Sequence, residues 1–243
     1  MKRVGLAVCV SVSIVCFASG CKHKADEETR FTIARKAMVD SLATSHALSD
    51  KALIAAFAET PRQKFVTADS EAQAYQDAPL AADRLRWTPA PTACAMALQA
   101  LQLRPGVTVL QLGPDDGYRP AVMSHIARNV YVMVLNEASA AALKQELANA
   151  GVGNVSVKAG DTAQGWAEHG PYDAILADCD PGHLPDGLAD QLKPNGHLVT
   201  MRGPVAKELQ VLTRDKRRQE MTLAATVPIP QGAFQSTASV PVR

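Results

Sequence analysis

The chain has 243 residues, 47% of them apolar and 20% charged, with 25 Lys and Arg against 24 Asp and Glu. That length and balance suit one large α/β domain, or two small ones, with an ordinary hydrophobic core. A formal charge of +1 excludes a general electrostatic claim on nucleic acid, which needs a clustered basic surface. The one basic run, Arg214-Asp215-Lys216-Arg217-Arg218, is expected to be a solvated hairpin turn.

The first residues carry an address. Lys2 and Arg3 precede an apolar run from Val4 to Phe17, and small residues then lead to a cysteine in Ala18-Ser19-Gly20-Cys21. The run is shorter than the roughly 20 residues of a membrane-spanning helix, so it reads as a secretory leader. The cysteine after Ala-Ser-Gly resembles the bacterial lipoprotein signal. The resemblance implies a signal peptide over 1–20, lipidation at Cys21, a membrane anchor and a place on the periplasmic side of the cell envelope. Lys22 points weakly to the outer membrane. The alternatives are plain secretion and, if the leader is unused, the cytoplasm. Losing Lys2 and Arg3 takes the formal charge from +1 to about −1. Cys94 and Cys179 are the cysteines of the body; they are expected to be buried thiols, with pairing in an oxidising compartment left open. No Cys or His spacing resembles a metal site.

Residues 21–29 read as the lipidated cysteine and a polar tether, and 30–104 as a segment of helices and loops. Phe31, Ala34, Met38 and Leu42 recur at helical spacing. Ser49 is a plausible N-cap for a second helix with Leu53, Ile54 and Phe57, ending before Pro61. Residues 62–91, broken by Pro79, Pro89 and Pro91, read mainly as loop, and Thr92 to Leu103 as a helix. From 105 to 230 strands and helices alternate. Strands are predicted at Val107–Leu112, Val130–Leu135, Val155–Lys158, Tyr172–Ala177 and Leu198–Met201. Helices are predicted at Ala121–Ala127, at Ala138–Ala150 and near Leu188. Leu209–Thr213 and Thr222–Val227 make a terminal hairpin, and residues 231–243 a flexible tail. This alternation implies an α/β, doubly wound, mostly parallel sheet covered on both faces.

The strand ending at Leu112, the turn Gly113-Pro114-Asp115-Asp116-Gly117 and the following helix form the nucleotide-binding opening of doubly wound folds. Glycines there let backbone N–H groups approach a ligand. Taken alone, such a turn is a weak signal, and Asp115 and Asp116 also suit a turn with a helix N-cap.

A longer pattern resembles the protein-L-isoaspartate O-methyltransferases. It comprises Leu48-Ser49-Asp50, Leu53 to Phe57, Pro61-Arg62-Gln63-Lys64-Phe65-Val66 and Tyr75-Gln76-Asp77. It continues through Val109 to Gly113, Gly117-Tyr118, Asn154-Val155, Gly160-Asp161, Gly165-Trp166, Pro171 to Ile175 and Gln191 to Gly196. The resemblance spans roughly residues 35–230. It implies a Rossmann-like S-adenosylmethionine-dependent methyltransferase fold that methylates isoaspartyl carboxylates in damaged proteins, with a protein or peptide substrate and a monomeric state. It implies that Gly113, Asp115 and Gly117 line the methionine end of the cofactor, that Asp161 meets the adenine, and that Thr88 is the hydroxyl beside the acceptor.

The chain departs from the family at several of these places. Asp115 replaces the middle loop glycine, Gln111 the acid before the loop, and Val134 the ribose-binding acid, with Glu137 three residues on. The family's Gln-Thr-Ile-Ser is Leu85-Arg86-Trp87-Thr88 here. These departures predict a weakened cofactor site. They leave three readings open: a repair methyltransferase, an inactive exported lipoprotein that keeps the old peptide cleft as a docking surface, and an enzyme of altered chemistry at the acidic loop. S-adenosylmethionine is made in the cytosol, so export favours the second of these.

Overall fold

The computed structural model describes residues 13–83, 86–113, 117–178, 187–202, 208–215 and 221–229, with side chains from Ala25 onward except at 201–202. Leu85, Asp115, Asp116, Cys179 and the tail 231–243 lie outside these residues, as does the side chain of Cys21.

Three helices and a small hairpin precede the sheet. Helix α1 runs from Ser13 to Thr44. The polar segment 22–29, expected as a tether, is therefore continuous with the first helix. Between Gly20 and Pro61 the chain holds no helix breaker, and the Thr29 and Thr32 hydroxyls donate to the carbonyls of Ala25 and Glu28 one turn back. Its inner face is the expected one, with Met38 and Leu42 buried in the core. Among the described residues no helix is long and apolar enough to cross a membrane.

Helix α2 (Lys51–Glu59) is capped by Asp50, whose Oδ1 accepts from the Leu53 N–H at 2.9 Å, and not by Ser49. The backbone N–H and hydroxyl of Ser49 are both turned to Gln99 Oε1, at 2.5 and 3.2 Å, which leaves the cap to its neighbour. The stretch 62–91 is more ordered than a loop. It contains 3-10 turns at Arg62–Phe65 and Ala68–Gln73, then strands β1 (Leu80–Ala81) and β2 (Trp87–Thr88) paired antiparallel. Helix α3 spans Pro91–Ala100. Its start is held by Asp77, whose carboxylate accepts from the Thr92 N–H at 2.9 Å and from the Thr92 hydroxyl at 2.6 Å. The acid of the Tyr-x-Asp step is thus structural. Cys94 is buried on α3, with its thiol 3.6 Å from the Pro89 carbonyl.

Seven strands form the main sheet: β3 (Thr108–Leu112), β4 (Asn129–Val134), β5 (Val155–Ala159), β6 (Tyr172–Ala177), β7 (Leu192–Arg202), β8 (Glu208–Arg214) and β9 (Met221–Pro228). Their order is β5-β4-β3-β6-β7-β8-β9, parallel through β7 and antiparallel for β8 and β9. Helices α4 (Tyr118–Ser124) and α5 (Glu137–Asn149) connect β3 to β4 and β4 to β5. The strands read as nearly continuous Val/Leu/Ile runs because both faces are covered. One face packs on the helices through Val109, Val132, Leu143 and Leu147. The other packs through Leu110, Met133, Ile175, Tyr172 and Trp166.

The basic run is not wholly solvated. Arg214 ends β8 and folds back, donating to the Leu192 carbonyl at 2.5 Å and reaching the Asp190 carboxylate at 3.3 Å. Its guanidinium finds fixed acceptors on the preceding loop, which sequence spacing does not reveal.

Candidate cofactor and acceptor site

From β3 the chain steps to β4 and β5 on one side, then returns to β6 on the other. The carboxyl ends of β3 and β6 are therefore the topological switch point, where ligands bind in open α/β sheets. Gly113 sits there at φ +116° with its N–H bonded to the Met133 carbonyl at 3.1 Å. A Cβ on Gly113 would lie 2.8 Å from the Cβ of Asp178, so glycine is what lets the turn leave β3 against the end of β6. Gly117 closes the turn at φ +83°, and a Cβ there would lie 3.0 Å from Phe65 and 3.1 Å from Leu143. Both glycines of the motif are thus needed by the geometry.

Two exposed carboxylates stand at neighbouring strand ends. Asp161 follows β5, and its Oδ1 accepts from the Ala163 N–H at 2.9 Å, capping a short 3-10 turn. One of its oxygens is thereby committed to the loop, and the residue is otherwise exposed. Glu137 opens α5, which Asn136 caps through the Ser139 N–H at 2.9 Å. Val134, in the place of the family's ribose acid, is 1% exposed and belongs to the core. Gln111 is likewise buried.

Thr88 is on β2, paired with Leu80, and is 0% exposed. Its hydroxyl has no hydrogen-bond partner. A buried hydroxyl without a partner is costly, and such groups commonly mark a site whose partner is a ligand. Trp87 beside it is 38% exposed, whereas Trp166 is packed against Tyr131.

Several partnerships here are not visible in the sequence. Arg86 is buried, and its guanidinium bridges Asp83 at 2.5 Å and Glu146 of α5 at 2.5 Å, tying the hairpin that bears Thr88 to the helix that bears Glu137. Arg62 is fully buried over the Tyr118 ring at 5.4 Å, with one donor on the Ala78 carbonyl at 3.3 Å and its Nε and Nη1 without partners. Arg119 and Asp178 form a two-pronged ion pair, with Nη1 3.0 Å from Oδ1 and Nη2 on Oδ2. Their side chains are 2% and 8% exposed. A charge at such a position does not by itself say what it meets. Among the described residues no group of three His, Cys, Asp or Glu could hold a metal ion.

A doubly wound sheet with a glycine turn at its switch point, acids at the next strand ends and a helical N-terminal segment defines the Rossmann-like S-adenosylmethionine-dependent methyltransferase class. Within it, residues 33–229 match the family described as protein-L-isoaspartate(D-aspartate) O-methyltransferase. Protein-L-isoaspartate O-methyltransferase 2 of Polaromonas sp. strain JS666 is 36% identical over 169 residues, covering 70% of this chain and 80% of that one. The protein-L-isoaspartate O-methyltransferase of Picosynechococcus sp. is 34% identical over 193 residues, covering 79% of this chain and 87% of that one. The chain belongs to the protein-L-isoaspartate O-methyltransferase family. Among solved structures, a putative member from Plasmodium falciparum in complex with S-adenosyl-L-homocysteine superimposes with a TM-score of 0.67 at 18% identity, covering 80% of this chain and 95% of that one. It supports the same fold.

Proposed function

We propose that the chain is a protein carboxyl methyltransferase that uses S-adenosylmethionine on isoaspartyl residues, with a cofactor grip weaker than its family's pattern would give. The observation that carries it is the buried, unpartnered Thr88 hydroxyl on a hairpin fastened to α5 by Arg86. The residues present fit the cofactor. Gly113 and Gly117 open the turn for its amino-acid end, Asp161 stands at the end of β5 for the adenine, and Glu137 offers the ribose an acid that Val134 does not. Losing a charged partner for a ribose hydroxyl costs about 1.5–3 kcal/mol, which Glu137 offsets only by reaching from the helix start.

When bound, S-adenosylmethionine supplies an electrophilic methyl on a sulfonium. The acceptor carboxylate is already ionised at neutral pH, since its pKa is near 4, so the chain needs no general base. Its task is to orient the attacking oxygen and exclude water. Thr88 donates a hydrogen bond to the acceptor carboxylate and so fixes which oxygen faces the methyl. The burial of Thr88 keeps competing water from its hydroxyl.

The leader and the cysteine at position 21 support an exported protein anchored by lipid in the cell envelope, with a protein or peptide as substrate. Labelled palmitate should enter the protein in cells and fail to enter Cys21→Ser.

A second reading is favoured by Val134 and Gln111, the two acids missing from the core side of the site: a catalytically silent domain that keeps the peptide cleft for docking. Calorimetric titration of S-adenosylmethionine, followed by methyl transfer to an isoaspartyl peptide, decides between them. Micromolar to millimolar binding with ester formation is expected. No binding at millimolar cofactor, with isoaspartyl peptide still bound, would leave the docking reading.

A further inference from the structure

The resemblance sets an acid at the position of Gln111, inside β3; Asp178 stands at the end of the neighbouring strand β6. Register pairs Gln111 with Leu176 and Leu112 with Ala177, so Asp178 stands beside Gly113 itself. The Asp178 N–H continues the ladder to the Leu112 carbonyl at 2.9 Å, which fixes its backbone. Its Cβ touches the space a Gly113 side chain would fill, and its carboxylate is turned to Arg119 in the first turn of α4. The carboxylate is thus held at the mouth of the switch point, more than nine-tenths buried, and oriented through both oxygens. A carboxylate has about four acceptor directions, and two donors from Arg119 leave capacity for another.

We propose that Asp178 supplies the negative charge that receives the cationic amino-acid end of the cofactor, with Arg119 as the residue that positions it. The inference rests on the methyltransferase reading above. It goes further by moving one ligand contact from β3 to β6 and adding two residues to the site. Arg119 holds the carboxylate in place through both oxygens, at the expense of part of its attraction for a second cation.

The test compares two ligands on the full chain. S-adenosylmethionine carries the ammonium and the sulfonium, whereas 5′-methylthioadenosine keeps the adenosine and lacks the amino-acid end. Asp178→Asn preserves shape and removes the charge; it should weaken S-adenosylmethionine about tenfold or more and leave methylthioadenosine within about twofold. Because Asp178→Asn also changes the setting of a buried arginine, the paired variant Arg119→Gln with Asp178→Asn removes both charges together and guards against misfolding. It should show the same selective loss. Equal weakening of both ligands would reduce the pair to a structural brace, and unchanged affinity for S-adenosylmethionine would also overturn the inference. In both cases the natural protein still binds the cofactor and the methyltransferase reading stands. Failure of the natural protein to bind either ligand would overturn that reading, and the inference with it.

Discussion

Thr88→Val separates stability from activity at one atom. The substitution is nearly isosteric, keeps a β-branched residue on β2, and replaces a fully buried hydroxyl that has no partner with a methyl group. In mutational data, burying an unsatisfied hydroxyl costs about 1–3 kcal/mol. The ligand-free valine variant should therefore be more stable by about 1–2 kcal/mol, because a burden is removed and no contact is lost. For a domain of this size that corresponds to a Tm higher by about 2–6 °C. Methyl transfer should fall by about tenfold to a hundredfold through loss of one hydrogen bond to a charged acceptor. Calorimetric melting of both proteins without ligand, beside single-turnover ester formation, measures the two effects separately. A lower Tm in the variant would mean the hydroxyl is satisfied within the fold, and an unchanged rate would mean it never meets the acceptor. Either result refutes the reasoning.

Val134→Glu restores an acid at the end of β4 and should tighten S-adenosylmethionine about tenfold, read by calorimetry, with some loss of Tm because position 134 is buried. Gly117→Ala meets both a left-handed backbone and a Cβ 3.0 Å from Phe65. It should cost about 1–3 kcal/mol in denaturant melts. Burial, reinforced by the charge of Arg104, lowers the pKa of His197 below the usual imidazole value of about 6.5. The unfolded chain therefore takes up a proton as the pH falls through that value while the folded chain resists it, so stability is full above it and declines below it. His197→Gln should flatten the slope of Tm against pH between about 5 and 7.

The sheet was legible because period and composition change together at residue 106. Runs such as Val-Thr-Val-Leu-Gln-Leu and Tyr-Asp-Ala-Ile-Leu-Ala are too apolar and too short for anything but doubly covered strands. All seven strands fall within a few residues of their expected places, apart from the start of β7. That strand begins at Leu192, through Pro194 and Gly196, where turn-forming residues suggested a loop. Errors gather where tertiary contacts override local signals. Ser49 is a good cap by composition, but Gln99, fifty residues away, claims both its donors. The 22–29 segment is polar enough for a tether, yet nothing in it breaks a helix already under way.

The site was legible where backbone geometry demands a residue type and obscure where charges pair at long range. Gly113 and Gly117 could be picked out because their turn needs positive φ and bare Cα atoms. The ion pairs of Arg86 and Arg119 could not, since their partners Glu146 and Asp178 lie 60 and 59 positions away. These ion pairs bear on the sequence departures themselves. The resemblance counts Gln111 as a lost acid, and one strand away Asp178 is held in a buried ion pair, while Arg86, in the stretch that stands for Gln-Thr-Ile-Ser, fastens the hairpin of Thr88 to α5. A site that had merely decayed would lose its charges without regard to place. Here the arginines Arg86 and Arg119 are buried in complementary, oriented ion pairs, and leaving either of them unpaired would be destabilising. Such paired charges support the proposed reading of weakened cofactor binding with retained chemistry over the docking reading.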